Sequence, residues 1–329
     1  MAKVSVIITV YNESMYLNDC LDSLKKQTLK DFEAICVNDA STDNSLEILE
    51  KYAHNDKRFV IINNDVNVGL TKSRRRAIEN AGGEYVTLLD ADDFLSCNAL
   101  SEAVQALENN GANIALMDLQ MYYDKENIKP YVKDCLPRVM SGDKAFCLCI
   151  EGKLHSVYLT KLGTYKRIPI DDSCRLYTDD STARLHILTS KTVCLSKGKY
   201  FYRQHNESET HKININRFDY LIANLKLASE ARKAGAQRDA LKTLEEHRWK
   251  NIIAHYYLLK NSEQQFTDDE KSTINSLIQK CIESIDFSLL PLSLKLRPPY
   301  WPTNNYKTFQ TYQRIYLLLR KIKRSIIPV

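Results

Sequence analysis

Apolar runs and amphipathic stretches alternate through roughly the first hundred residues. Val4–Val10 is an uninterrupted, mostly β-branched run, the pattern of a strand buried on both faces of a parallel sheet. Between Glu13 and Gln27 the apolar residues Leu17, Leu21 and Leu24 recur at helical spacing. Phe32–Val37 predicts a second strand. Asp43–Tyr52 predicts a second helix with Leu46, Leu49 and Tyr52 on one face, and Ser41, Thr42 and Asp43 supply groups suited to capping its start. Phe59–Ile62, Lys72–Ala81 and Glu84–Leu89 continue as strand, helix and strand, and Ala99–Asn109 and Ile114–Tyr122 as helix and strand. This alternation implies right-handed crossovers and a mostly parallel sheet flanked by helices. The stretch 124–138 is polar and irregular, Lys144–Cys149 and Tyr158–Tyr165 are mixed, and Val193–Leu195 and Tyr200–Tyr202 are short β runs. Beyond residue 213 the pattern turns helical, over Asp219–Ala234, Ala240–Lys260 and Asp269–Ile285, followed by a Pro-rich break at Leu294–Pro302. A boundary near 212 is expected, with an α/β domain over 1–212 and a helical region over 213–329.

Hydrophobic content of 44% and charged content of 26% in 329 residues describe an ordinary globular chain with room for a large core. The nine cysteines are scattered and form no CxxC pair, which disfavours zinc and thioredoxin chemistry and points to a reducing compartment. No charged-then-apolar leader precedes the first strand, and no run reaches the roughly 18 apolar residues of a spanning helix. A cytoplasmic protein is expected.

The net charge of +5 is unevenly placed: residues 301–329 hold Lys307, Arg314, Arg320, Lys321, Lys323 and Arg324 and no acid. From Arg314 onward, bulky apolar and basic residues mix at helical spacing. Such a segment (314–329) can lie on an anionic membrane surface, each basic residue contributing about 1 kcal/mol. It can equally dock on the protein body with its basic face in water. No nucleic-acid partner is expected, because no basic aromatic platform accompanies the charge.

The densest chemistry is Leu88-Leu89-Asp90-Ala91-Asp92-Asp93-Phe94. Three carboxylates leave the carboxyl end of a strand, where open α/β sheets bind ligands, and suit a hard cation such as Mg²⁺ or Mn²⁺. An isolated pair would more often be a solvated turn. Tyr11 leaves the first strand and Asp39 the second; alone, they read as a loop tyrosine and a helix-capping carboxylate. Asp179-Asp180 stand before Ser181–Leu188, where carboxylates also favour a first helical turn. Asp171-Asp172 reads as a loop.

Four segments in this order resemble the family 2 glycosyltransferases, inverting nucleotide-sugar-dependent enzymes of the GT-A fold. They are Val6–Glu13, Val37–Asp43, Asn67–Thr71 leading through Arg74 and Gly83-Glu84-Tyr85 to Asp90–Asp93, and Tyr177–Asp180 with Tyr202–Ser208 downstream. The resemblance spans residues 3 to about 211 and implies a site. Thr9, Tyr11 and Glu13 would line the nucleotide pocket, with Tyr11 against uracil. Asp39 would accept the uracil imide hydrogen, and Arg74 would lie near the nucleotide, with Arg75 and Arg76 in solvent. Asp92 would bind Mg²⁺ or Mn²⁺, supported by Asp90, which alternatively holds the ribose, and by His205 as the last loop closes. Asp93 would orient the cluster or cap the next helix. Asp180 would be the catalytic base and Asp179 would aid acceptor position. The implied donor is a UDP-sugar, and the acceptor a saccharide or lipid-linked hydroxyl in surface polysaccharide assembly at the inner membrane face.

The chain departs from the family in having Asp179 where glutamate is usual, arginines after Arg74, and no tryptophan before the last helix of the domain. Among rival classes, a nucleotidyltransferase would need a glycine-rich loop after the first strand, and a non-catalytic sugar-nucleotide scaffold would tolerate loss of the carboxylates. Neither pattern is met. The EF-hand glycine and distal glutamate are missing, and no GxGxxG follows the first strand.

Overall fold

A computed structural model describes residues 2–133, 135–205 and 213–326, with side chains as far as residue 320. Two compact units are present, Met1–His211 and Lys212–Val329. The strands of the first are β1 (Val4–Val10), β2 (Phe32–Asn38), β3 (Phe59–Asn63), β4 (Tyr85–Leu88), β5 (Phe94–Leu95), β6 (Ile114–Tyr122), β7 (Ile128–Pro130), β8 (Val139–Ser141), β9 (Tyr158–Lys161) and β10 (Thr192–Arg203). They form one sheet in the order β3-β2-β1-β4-β9-β6-β10-β5, with β7 on β6 and β8 on β10. Its helices are α1 (Leu17–Lys25), α2 (Ser45–Asn55), α3 (Leu70–Glu79), α4 (Ala99–Asn110), α5 (Gly142–Ile150), α6 (Leu162–Arg167) and α7 (Thr178–Leu188).

The block β3-β2-β1-β4 is parallel throughout, and β10 runs parallel to β6. β9 lies between the two groups, antiparallel to both β4 and β6. The sheet is mostly parallel, as expected, with β9 inserted antiparallel between its two parallel groups. Four residues of apolar pattern at Tyr158–Lys161 carry a strand signal but no direction. The two short β runs near residue 200 prove to be one strand of 12 residues. It is interrupted by a register shift between Leu195 and Lys199. Gly198 sits there so close to α4 that a Cβ would lie 2.5 Å from the Ala99 carbonyl oxygen, which leaves room for glycine alone.

The core forms where the sequence pattern places it. Val4, Val6, Ile8 and Val10 of β1 pack with Leu17, Leu21 and Leu24 of α1 and Ala103 and Leu107 of α4, all buried. Each such leucine contributes roughly 1.5–3 kcal/mol. α1 starts at Leu17 rather than at Glu13, and the preceding amides bond the neighbouring loop: Glu13 N donates to Ser45 Oγ at 2.9 Å and Ser14 N to Asp43 Oδ2 at 3.0 Å. Asp43 also accepts from the Ser45 amide at 3.0 Å, so of the expected capping groups it is Asp43 that acts. Ser41 and Thr42 instead bond Asn12.

The second unit consists of α8 (Asp219–Lys233), α9 (Arg238–Asn261), α10 (Asp268–Glu283), α11 (Leu292–Lys295) and α12 (Tyr306–Ile326). Trp249, Tyr256, Phe218 and Phe309 are fully buried among them. The Pro-rich break is fastened to this core, because Trp249 Nε1 donates to the Tyr300 carbonyl and Gln313 Nε2 to that of Pro299, both at 2.8 Å. Buried Glu245 pairs with Arg248 at 2.8 Å. Among the described residues no helix is long and apolar enough to cross a membrane.

Candidate active site

The carboxyl ends of β1, β2 and β4 lie side by side, and their loops carry most of the expected site. Asn12 and Ala40, both at φ of 58°, turn the first two loops toward each other. The Asn12 amide donates to Ser41 Oγ at 3.1 Å, and Asn12 Oδ1 accepts from the Thr42 amide at 2.7 Å. Thr9 is half-buried at the end of β1, and Tyr11 stands half out in solvent, as a ring offered to a planar ligand would.

Asp39 is buried and already engaged. Its Oδ1 accepts from Asn64 Nδ2 at 2.7 Å and the Val68 amide at 2.9 Å, and its Oδ2 accepts from the Gly69 amide at 2.9 Å. Asp39 thereby holds the 64–69 loop at the entrance to α3 and does not cap α2. One lone pair of Oδ2 remains for a ligand N–H.

Arg74 is buried within the site. Its side chain is only 5% exposed and lies beneath two aspartates, donating to Asp179 Oδ2 at 2.8 Å and to Asp90 Oδ1 at 2.5 Å. Burial alone would raise Asp179, but the Arg74 guanidinium holds its carboxyl below the usual range. Asp90 is pushed up, by burial first and by Asp92 and Asp179 next, against the pull of Arg74.

Arg76 is exposed, as expected, and Arg75 is half-buried, and both hydrogen-bond to neighbouring segments. Arg75 Nε donates to the Ile170 carbonyl at 2.8 Å and its NH1 pairs with Asp172 at 2.7 Å. Arg76 donates to the Asn63 carbonyl at 2.9 Å and to Asn64 Oδ1. Successive residues of α3 point to three different segments, as a rotation of about 100° per residue requires.

Asp92 and His205 do meet: His205 Nε2 lies 2.9 Å from Asp92 Oδ2. The other ring nitrogen, Nδ1, is buried without a hydrogen-bond partner, and the ring packs on Tyr16 at 5.1 Å. Glu13 faces this cluster. Burial first, then Asp92, Asp90 and Asp43, push its carboxyl up to about 7. A carboxylate and an imidazole in contact, in a field of surplus negative charge, fit a divalent cation of the Mg²⁺ or Mn²⁺ type. Among the described residues no group of three such side chains is preassembled, and one oxygen of Asp90 is held by Arg74. The remaining ligands would come from the substrate.

Asp93 orients the cluster, as one of its two expected roles has it. Its carboxylate is fully buried and accepts from Tyr200 OH at 2.8 Å and the Arg203 amide at 2.7 Å. Arg203 was quoted in the sequence pattern without a role. It donates through Nε to the Asp92 carbonyl and through NH2 to Asp19, both at 2.8 Å. Its guanidinium lies 4.9–5.3 Å from the rings of Tyr16, Phe94 and Tyr122. It bolts the aspartate loop to the strand that leads to His205. Asn206, Glu207 and Ser208 lie outside the described residues.

Asp179 and Asp180 open α7 after Tyr177, which is left-handed at φ of 66°. Asp180 Oδ1 accepts from Ser156 Oγ at 2.9 Å and its Oδ2 pairs with Arg184 at 2.7 Å. Each oxygen retains a lone pair toward the cleft, whose walls include Leu88, Val157, Tyr158 and Ala183. Ser156 carries no signal in the sequence, whereas Arg184 stands at i+4 from Asp180, the spacing of a helical ion pair. Behind the cleft, buried His186 spans Tyr158 OH at 2.6 Å and the Ile168 carbonyl at 2.7 Å.

Comparison with known proteins agrees with this geometry. GlyG of Streptococcus pneumoniae, named a glycosyltransferase, is 27% identical over 217 residues, covering 62% of this chain and 72% of its own. The poly(ribitol-phosphate) beta-glucosyltransferase of Bacillus spizizenii is 37% identical over 140 residues, 42% of this chain and 22% of that enzyme. The crystal structure of S. aureus TarS residues 1–349 superposes with a TM-score of 0.74 at 19% identity, covering 96% of this chain and 91% of that one. The same TarS segment is also known with UDP-GlcNAc, at a TM-score of 0.72. The family model of glycosyl transferase family 2 matches residues 5–173, more than half of the chain. With the carboxylates on a GT-A-like mixed sheet, this establishes the protein as a glycosyltransferase belonging to glycosyl transferase family 2.

Proposed function

We propose that the protein is an inverting transferase that moves a sugar from a UDP-sugar to a hydroxyl of a saccharide or glycolipid acceptor in surface polysaccharide assembly. The observation that carries the reading is Arg74 joining Asp90, on the donor side, to Asp179, next to the proposed base Asp180. In the first unit, Thr9, Tyr11 and the free lone pair of Asp39 offer a face and an acceptor for uracil. Asp92 and His205, with Asp90, would hold a divalent cation that offsets the charge building on the leaving diphosphate.

Asp180 takes the proton of the acceptor hydroxyl. The acceptor oxygen forms its bond to the anomeric carbon from the side opposite the nucleotide. The bond from that carbon to the phosphate oxygen breaks, and its electron pair leaves with UDP. Ser156 and Arg184 keep the base carboxylate in one orientation, and Asp179 flanks the acceptor.

The basic segment 314–329 of the second unit suits placement at the inner face of an anionic membrane, where lipid-linked acceptors are available; side chains beyond 320 lie outside the described residues. The test is a calorimetric titration of UDP with Mn²⁺, repeated with EDTA. Binding that requires the metal is expected, and no binding in either condition overturns the UDP reading.

A further inference from the structure

Sugar transfer leaves a set of exposed apolar side chains of the second unit unexplained. Among its described residues, the exposed large apolar side chains other than Ile213 fall between Leu292 and Leu319: Leu292, Leu296, Trp301, Ile315, Leu318 and Leu319. Leu292 and Leu296 are 68% and 75% exposed while Leu294 between them is buried, so the two leucines point outward one helical turn apart. Trp301 is 61% exposed and meets Tyr312 of α12 edge-on at 5.5 Å. On α12, Phe309 and Gln313 are buried. Ile315, Leu318 and Leu319 occupy a sector of about 100° on the far side of the helix, with Tyr312 at its margin. The turn bearing Trp301 is held in place by the bonds that Trp249 and Gln313 make to Tyr300 and Pro299.

Charge sets the kind of partner. From Phe287 to the last residue there is no aspartate or glutamate, and Lys295, Arg297, Lys307, Arg314 and Arg320 are interspersed with the apolar positions. An indole ring at the water boundary, projecting leucines and basic residues with no acid between them suit the headgroup layer of an anionic bilayer.

We propose that Leu292, Leu296 and Trp301, together with the outer stripe of α12, dock on an anionic lipid surface, and that the Pro-rich turn supplies apolar insertion independently of the tail. This extends the membrane-face part of the reading above and does not depend on the identity of the sugar donor.

The experiment uses the full chain and vesicles of equal parts phosphatidylglycerol and phosphatidylcholine, with pure phosphatidylcholine as the control. The chain has two tryptophans. Trp249 is fully buried, so a change in emission reports Trp301. Anionic vesicles are expected to shift that emission to the blue and shield it from acrylamide. Leu292→Ser/Leu296→Ser/Trp301→Ser should lower the vesicle-bound fraction by roughly tenfold or more with UDP affinity unchanged. Deleting 314–329 should lower it further when combined with the triple variant. Unchanged emission, or equal binding by the triple variant and the parent, overturns the proposal. So does sedimentation velocity showing that the triple variant breaks a dimer while vesicle binding persists, since a second copy would then be the occupant. Loss of UDP binding in the parent would remove the UDP-donor reading and leave this inference standing.

Discussion

Arg74 and Asp179 lie 105 positions apart in the chain, yet the guanidinium of the first donates to the carboxylate of the second at 2.8 Å. Its other amino group holds Asp90. One buried cation therefore serves two carboxylates from separate loops. Asp90→Asn or Asp179→Asn alone leaves Arg74 a partner, whereas the double variant strands a buried charge. Urea unfolding should show the double variant losing more than the sum of the singles, by about 1–3 kcal/mol, with the excess gone in an Arg74→Gln background.

Asp92 and His205 share the proposed metal edge of the site. Asp92→Asn should remove the metal-dependent part of UDP binding, weakening affinity about tenfold or more in the presence of Mn²⁺. His205→Ala should act in the same direction and less strongly. Calorimetry with and without EDTA reads both, and a metal response retained in Asp92→Asn would refute the ligand assignment.

Asp180 is to be separated from binding altogether. Asp180→Asn should keep UDP affinity and lose turnover by about 10²–10⁴-fold. Initial rates of UDP release from UDP-sugars, with water or added saccharide as acceptor, provide the measurement. Full activity in this variant would move the base elsewhere.

His155 and His186 are buried, and burial pushes each down to about 4. Both are neutral in the folded chain at pH 7. Below about 6.5 the unfolded chain takes up protons that the folded chain refuses. Stability should therefore fall as pH drops from about 6.5 to 4, by ~3 kcal/mol for each histidine. Urea midpoints should fall between pH 7.5 and 5, and less steeply in His186→Gln.

The parallel half of the sheet was legible because β1, β2 and β3 are mostly apolar runs, each followed by an amphipathic helix. The chemistry was legible where it is carried by side chains packed close in sequence, as in Asp90–Asp93. Partners that meet only through the fold were not. Ser156 reaches Asp180 from a loop and leaves no trace in the sequence, whereas Arg184 stands four residues on in the same helix, a spacing that could have found it. Arg75 looked like surface charge because a backbone carbonyl such as that of Ile170 leaves no trace in a sequence. The direction of β9 depends on how the chain returns from a polar stretch, which local pattern does not encode.

The lacing of Asn12, Glu13 and Ser14 to Ser41, Thr42, Asp43 and Ser45 has a consequence for redesign. Seven residues of one loop and the next share their hydrogen bonds, so neither loop has a conformation of its own to transplant. Grafting a single loop from a relative with a different nucleotide preference would leave amides without acceptors on both sides. Exchanging specificity at this edge means moving the two loops as a matched pair.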